Sequence, residues 1–338
     1  MPLATNRPIN RKIVLARYVT GMVSPEDFRL EEELAREPDE GEVMVQVDTL
    51  SIDAFIRTSL NAQEGLHQQV PLGGPVVALG VGRVIDSRAA GFAVGDAVSG
   101  PLCAQTHATL PGSMLQKIDP GLPLSTYLGV LGLTSGVTAY FGALAVAEVR
   151  AGETVLVSGA AGAVGVMVGQ IAKIAGARVI GMAGGPEKCA ILTQTLGFDE
   201  AIDYKNEDVN GRLKALAPKG VDVFFDNVGG PLLDTALDNL AEGARVVICG
   251  AISQYNDQQN VRGPSLYLRL AERNARMLGF TVMHYAARYG EAFAQLAQWL
   301  AEGRLTMPEQ VETGIDRFPT ALRKLFEGGN TGKMLVKP

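Results

Sequence analysis

Two rhythms run along the chain. In roughly the first 130 residues, short apolar runs are broken by prolines at 25, 38, 71, 75, 101, 111, 120 and 123, and helical spacing is scarce. Arg11–Val19, Gly41–Leu50 and Val76–Asp86 read as strands, and glycines at 80 and 82 predict a bulge or tight bend in the third. Ala93–Ser99 has the form of a turn into a further strand. This is the pattern of a β-rich, loop-rich domain. From about Tyr127 the pattern changes. Leu131–Val149 is apolar with helical spacing, and strands then alternate with helices. Thr154–Ser158, Arg178–Met182, Ala201–Tyr204, Val221–Asp226 and Ala244–Cys249 read as strands; Pro186–Leu196, Asp208–Ala217, Leu232–Leu240 and Tyr289–Glu302 read as helices. Such alternation predicts an α/β fold, a doubly wound parallel sheet with helices on both faces. The tail, Phe318–Pro338, predicts a helix, a glycine turn and a last strand.

The stretch from Thr154 to Gly176 organises the rest. An apolar strand, Thr154–Ser158, runs into a glycine-punctuated turn and then a helix on which Val164, Val168, Ile171 and Ala175 form one stripe, with Gly176 as the residue just past its end. Strand, glycine turn and helix in succession suit a dinucleotide pyrophosphate: backbone N–H groups at the helix start face the phosphates and no side chain blocks their approach. The fingerprint is Ala160-x-Gly162-x-x-Gly165, with alanine at the first glycine position. The expected division is therefore a β-rich substrate domain over residues 1–129, joined by the tail 305–338, and a Rossmann-type dinucleotide-binding domain over 130–304.

Composition narrows the function. With 47% hydrophobic and 20% charged residues the 338-residue chain is an ordinary globular protein with a substantial core. A net charge of −6 without a basic block argues against nucleic acid as a partner. No run of about 18 apolar residues predicts a membrane span, and no leader pattern opens the chain. Three widely spaced cysteines, Cys103, Cys189 and Cys249, fit a reducing compartment, and the expected location is the cytoplasm.

Candidate chemistry follows the strand ends. A site for NAD usually places Asp or Glu about 20 residues past the glycine turn, at the end of the second strand. Here that place reads Gly181-Met182-Ala183-Gly184-Gly185-Pro186-Glu187-Lys188, with Lys188 in the next helix and Tyr204 ending the third strand. An ammonium and a phenol near a pocket that lacks a repelling acid favour NADPH; the alternatives are a solvated Lys188 and a ribose-binding Glu187. Cys103 and His107, four apart, are the one tight pair among the cysteines and histidines. A catalytic zinc needs three protein ligands, so no metal is expected. Asp226–Gly230 and Cys249–Asn256 follow the fourth and fifth strands, where open α/β sheets bind ligands. A Tyr255 phenol could hydrogen-bond a substrate carbonyl and stabilise an enolate, or it could merely cover the site. Cys249 reads as a small packing residue rather than a nucleophile.

GVTAYFGAL, the Ala151–Cys189 stretch, DVFFDNVGG, CGAISQYN and GNTGKMLV together resemble the zinc-free medium-chain dehydrogenase/reductase superfamily, within it the prostaglandin reductase and alkenal reductase (leukotriene hydroxydehydrogenase) group. The resemblance implies a GroES-like N-terminal domain, commonly a homodimer, and NADPH-dependent reduction of the carbon–carbon double bond of α,β-unsaturated ketones and aldehydes. A quinone or carbonyl reductase on the same scaffold, or a non-catalytic NADPH-binding protein, stays open. It further implies that Gly162, Ala163, Val164 and Gly165 hold the pyrophosphate, that Lys188 and Tyr204 meet the 2′-phosphate, and that Asn227 hydrogen-bonds the cofactor. Cys249, Ile252, Ser253, Tyr255 and Phe280 would line the nicotinamide side, with Asn330 reaching back from the tail. The N-terminal domain departs from the group. Ser51–Arg57 reads SIDAFIR where the group shows SVDPYMR, and Gly100–His107 replaces a GWxxY stretch, which leaves the small, hydrophobic, electrophilic substrate unnamed.

Overall fold

The computed structural model describes residues 7–63 and 67–338. The chain divides into two units. One runs to Leu128 and takes back Gln310–Gly329 and Met334–Pro338; the other comprises Gly129–Glu309 with Asn330–Lys333.

The first unit is antiparallel. β1 (Ile9–Leu15) and β2 (Phe28–Leu34) form a two-stranded ribbon. β3 (Glu42–Ser51), β4 (Gly80–Ser87), β5 (Ala97–Gly100), β6 (His107–Pro111) and β7 (Gln116–Lys117) form a larger sheet with β14 (Glu309–Thr313) and β15 (Lys333–Lys337), ordered β14-β15-β3-β4-β5-β7 with β6 also paired to β3. Of two register shifts between β3 and β4, one falls at the expected bend, between Gly82 and Val81 opposite Val47 and Thr49; the other lies farther along, between Val84 and Asp86. A Cβ at Gly82 would stand 2.3 Å from the Gln46 carbonyl oxygen, so only glycine lets the strands meet there. Val45, Leu50, Ile56, Leu102, Phe318 and Leu322 are in its core.

The second unit is built on six strands, all parallel: β8 (Thr154–Val157), β9 (Arg178–Ala183), β10 (Glu200–Asp203), β11 (Val221–Asp226), β12 (Leu240–Ile248) and β13 (Arg276–Gly279). Their order is β10-β9-β8-β11-β12-β13, the doubly wound arrangement, and the winding reverses between β8 and β11. Val155, Leu156 and Val157 are wholly buried, as strands covered on both faces must be.

Three expectations change in detail. The helix Ala163–Ile174 is buried from Gly165 to Ala172 on every side rather than along one stripe, because it lies over the centre of the sheet. Leu131–Val149 is not one α-helix: wide π-type turns at Leu133–Val137 and Phe141–Val146 flank the short helix Thr138–Tyr140. The helix expected at Leu232–Leu240 spans Gly230–Asp238, and β12 begins at Leu240, four residues before Ala244. No described helix is long and apolar enough to cross a membrane.

Candidate active site

The turn after β8 carries the first part of the site. Gly159 is left-handed at φ +57°, and Gly162 caps the helix Ala163–Ile174 with no side-chain bond to it. A helix start of this kind leaves the first-turn amides, here those of Ala163, Val164 and Gly165, for an external acceptor. The two glycines have different reasons. A Cβ at Gly165 would stand 2.4 Å from the Gly159 oxygen and 2.6 Å from the Ala160 Cα, so the helix needs glycine to sit on its own turn. A Cβ at Gly162 would meet only the Gly159 oxygen, at 3.3 Å. Ala160 is fully buried and donates its N–H to the Met182 carbonyl at 3.0 Å.

The tail reaches this turn. The Gly332 N–H donates to the Ala161 carbonyl at 2.7 Å, and Gly332 pairs with Gly162 in a parallel bridge. Gly332 has φ +66°, and a Cβ there would stand 1.9 Å from the Pro308 oxygen, so no other residue fits. Asn330 is buried and its Nδ2 donates to the Gly332 carbonyl at 3.2 Å, closing the turn that brings the tail in.

At the switch point a buried carboxylate ties the loops together. Asp226, with no exposed surface, accepts the Ser158 hydroxyl at 2.7 Å and the Val228 and Gly229 N–H groups at 3.0 Å. Burial raises its pKa, and these three donors work against that rise. Asn227 Nδ2 donates to the Ser158 carbonyl at 2.8 Å. The loop after β12 hangs on the same segment: the Cys249 N–H donates to the Asp226 carbonyl at 2.9 Å, Ile252 N–H to Asn227 at 3.2 Å, and the Ser253 hydroxyl to the Val228 carbonyl at 2.6 Å.

Tyr255 closes that loop. Its hydroxyl oxygen accepts the Ala251 N–H at 3.2 Å, which leaves the hydroxyl proton available for another acceptor. Burial, with Cys249 and Asp226 adding to it, holds the phenol above its usual pKa. It is therefore a donor and not a base. Burial, and then Asp226, likewise push the Cys249 thiol up to about 12, so it stays neutral. Phe280 follows β13. Its ring stands edge-on to Phe225 at 6.4 Å and to Tyr285 at 6.4 Å, and both Phe225 and Phe280 press on Gly142, where a Cβ would come within 2.7 Å of either ring.

Lys188 and Tyr204 lie together at the ends of β9 and β10. Gly185 (φ +104°) starts the helix Pro186–Gln194 and donates its N–H to Asp203 at 2.8 Å. Lys188 is half-buried; burial, and then the neighbouring Lys205, lower its pKa. Burial, and then Asp203, raise that of Tyr204. Glu187 points to solvent. The sequence-predicted residues other than Asn330 thus follow the carboxyl ends of strands of one sheet, and Asn330 lies in the tail that meets the β8 turn. The second lysine, Lys205, escaped the sequence reading because nothing in its spacing marks it. So did Lys333, only 1% exposed, whose ammonium donates to Thr134 Oγ1 at 3.3 Å.

Residues 163–302 match the family model described as zinc-binding dehydrogenase, and residues 11–118 match that of the N-terminal domain of oxidoreductase. The chain is 44% identical over 331 residues to YfmJ of Bacillus subtilis (strain 168), named as a candidate NADP-dependent oxidoreductase, covering 97% of each chain. It is 37% identical to the NADP(+)-dependent 2-alkenal reductase of Nicotiana tabacum, again over 97% of each. The chain belongs to the medium-chain dehydrogenase/reductase superfamily, in its prostaglandin and alkenal reductase group. Among solved structures, CurA from Vibrio vulnificus in complex with NADPH superimposes with a TM-score of 0.91 at 38% identity, covering 97% of this chain and 98% of that one.

The zinc in that family description finds no donor set here. Among the described residues no three of His, Cys, Asp and Glu gather to hold a metal ion. The Cys103 thiol faces the Pro101 carbonyl at 3.9 Å, and His107 Nδ1 is engaged with Thr106 Oγ1 at 3.0 Å. The residues present do not fit zinc.

Proposed function

We propose that the protein is a zinc-independent, NADP(H)-dependent oxidoreductase that reduces the C=C bond of small α,β-unsaturated ketones and aldehydes. The observation that carries this is the pairing, at one sheet end, of a lysine-flanked, glycine-lined ribose corner with a protonated, anchored phenol. Named relatives support it: a curcumin reductase of Escherichia coli (strain K12), 36% identical, is NADPH-dependent by name, and the tobacco 2-alkenal reductase is NADP(+)-dependent by name.

In this reading the first-turn amides of Ala163, Val164 and Gly165 bind the pyrophosphate, and Lys188 and Tyr204 bind the 2′-phosphate. Asn227, Cys249, Ile252, Ser253, Phe280 and Asn330 shape the nicotinamide end. The cofactor, when bound, supplies a hydride to the β-carbon. The chain's own contribution is Tyr255, which donates its hydroxyl proton as a hydrogen bond to the substrate carbonyl oxygen as negative charge gathers there. Conjugation already activates the β-carbon, so one donor suffices and no metal is needed. Solvent protonates the α-carbon.

Loss of one such donor typically costs a factor of about 100 or more in turnover, about 3 kcal/mol. Tyr255→Phe should therefore lower kcat about a hundredfold in an NADPH-oxidation assay with an enal or enone, with the carbonyl retained in the product. Unchanged turnover would remove Tyr255 from the mechanism. A product alcohol would favour a carbonyl reductase, and no oxidation of NADPH with any electrophilic alkene would favour a binding protein. The resemblance also supports a homodimer, and β13, the last strand of its sheet, leaves a backbone edge for pairing. Three unpaired thiols support a cytoplasmic location.

A further inference from the structure

The corner at the ends of β9 and β10 holds more charge than Lys188 alone. At Gly184 a Cβ would stand 2.8 Å from Lys205 Cε and 2.9 Å from the Tyr204 hydroxyl, so both side chains fold back over the end of β9. Arg212, on the helix that follows β10, is engaged with Glu207 at 3.1 Å. Among the described residues no carboxylate pairs with the Lys205 ammonium, and the side chain is exposed.

The acids of this corner are turned elsewhere. Asp203 accepts the N–H groups of Gly185 at 2.8 Å and Lys205 at 3.1 Å, and Asn206 Nδ2 at 2.7 Å. Glu207 accepts the Asp203 N–H at 2.7 Å through one oxygen and faces Arg212 through the other. Glu187 faces solvent. The result is a lysine and a phenol folded over Gly184, with Lys188 close enough for Lys205 to lower its pKa.

We propose that Lys205 is a second cofactor-specificity residue, completing with Lys188 and Tyr204 a three-membered cradle for a ribose 2′-phosphate, with Gly184 as its floor. The assignment rests on the NADP(H) reading above and adds to it a residue and a reason for the glycine. Two cations held together disfavour each other, which is the direction in which Lys205 moves Lys188. A dianion placed between them reverses that repulsion. A 2′-hydroxyl offers no charge and cannot.

The test uses fragments that carry the phosphate without the nicotinamide. Binding of 2′,5′-ADP and of 5′-AMP is measured by calorimetry on the full chain, at low and high salt. The wild type should bind 2′,5′-ADP at least tenfold more tightly than 5′-AMP. Lys205→Ala should lose about fivefold or more for 2′,5′-ADP with 5′-AMP unchanged, and should show a shallower salt dependence. Lys205→Arg should keep most of the preference. Gly184→Ala should act like Lys205→Ala while unfolding at the wild-type temperature, since its Cβ meets only the ends of flexible side chains. If the wild type shows no preference for 2′,5′-ADP, the NADP(H) reading itself fails. If the wild type prefers it and Lys205→Ala keeps that preference, or weakens both ligands equally, the role of Lys205 is overturned.

Discussion

The two glycines of the β8 turn make a pair of substitutions with opposite expected results. In Gly165→Ala the new methyl would stand 2.4 Å from the Gly159 oxygen and 2.6 Å from the Ala160 Cα. Both partners are backbone, and Ala160 is fully buried, so neither can rotate away. Overpacking of this kind costs about 1–3 kcal/mol, and rigid backbone on both sides puts this case near about 3. For a unit of this size each kcal/mol moves the melting point by about 2–4 °C, so its thermal transition should fall by about 6–12 °C. Cofactor binding should fall with it, because the helix must lift off its turn.

Gly162→Ala is different. Its φ of −84° suits alanine, and its methyl would meet one atom, at 3.3 Å. Stability should stay within about 0.5 kcal/mol of the wild type. The methyl instead occupies space in front of the helix start, where the pyrophosphate is proposed to lie. NADPH affinity should drop about tenfold, about 1.4 kcal/mol. Melting followed by circular dichroism and binding followed by calorimetry separate the two effects. If both variants melt like the wild type, or if Gly162→Ala binds NADPH unchanged, the assigned roles of the two glycines are wrong.

Two further outcomes can be checked. Arg36, then the Asp39 N–H, hold the Glu42 carboxyl at about 2, below its ordinary 4.5, so its contribution to stability is present above pH 4.5 and lost as pH falls toward 2; urea midpoints over that window should fall less steeply in Glu42→Gln, and an unchanged slope would discount the pair. Light scattering should give about twice 35.7 kDa, and Leu278→Pro in the edge strand β13 should shift it to the monomer mass; a monomeric wild type would refute the dimer.

The parallel sheet was largely legible because its strands are apolar runs bounded by glycine and proline; Val221–Asp226 is found with its ends unchanged. β2 was missed for the opposite reason. Its sequence FRLEEEL looks like solvated coil, and its charges make sense only opposite β1, where Arg11 meets Glu32 at 3.1 Å and Lys12 meets Glu33 at 2.8 Å. β13 is an edge strand reading RMLG, with an exposed charge at one end and an exposed glycine at the other, so no apolar run marks it. The wide turns around Thr138–Tyr140 leave the apolar count of a helix intact, so periodicity alone does not reveal them. For the site, glycine spacing pointed to the turn and to Lys188. Lys205 needed the third strand laid beside the second before its neighbour became visible.

Asp226 explains why the separate sequence motifs act as one device. A buried carboxylate without partners would neutralise itself or unfold its surroundings. This one is held by donors from two loops: the Ser158 hydroxyl after β8, and the Val228 and Gly229 amides after β11. Its own carbonyl takes the Cys249 and Gly250 amides after β12, at 2.9 and 3.1 Å. Ser158 in turn accepts the Asn227 N–H at 2.8 Å. The glycine turn, the Asn227 corner and the loop bearing Tyr255 are therefore strung on a single residue. A shift of the turn that receives the pyrophosphate would move the Asp226 carboxylate, and with it the backbone from which Tyr255 is hung. In the proposed reaction, the donor to the substrate oxygen takes its position from the same hydrogen bonds that support the cofactor turn.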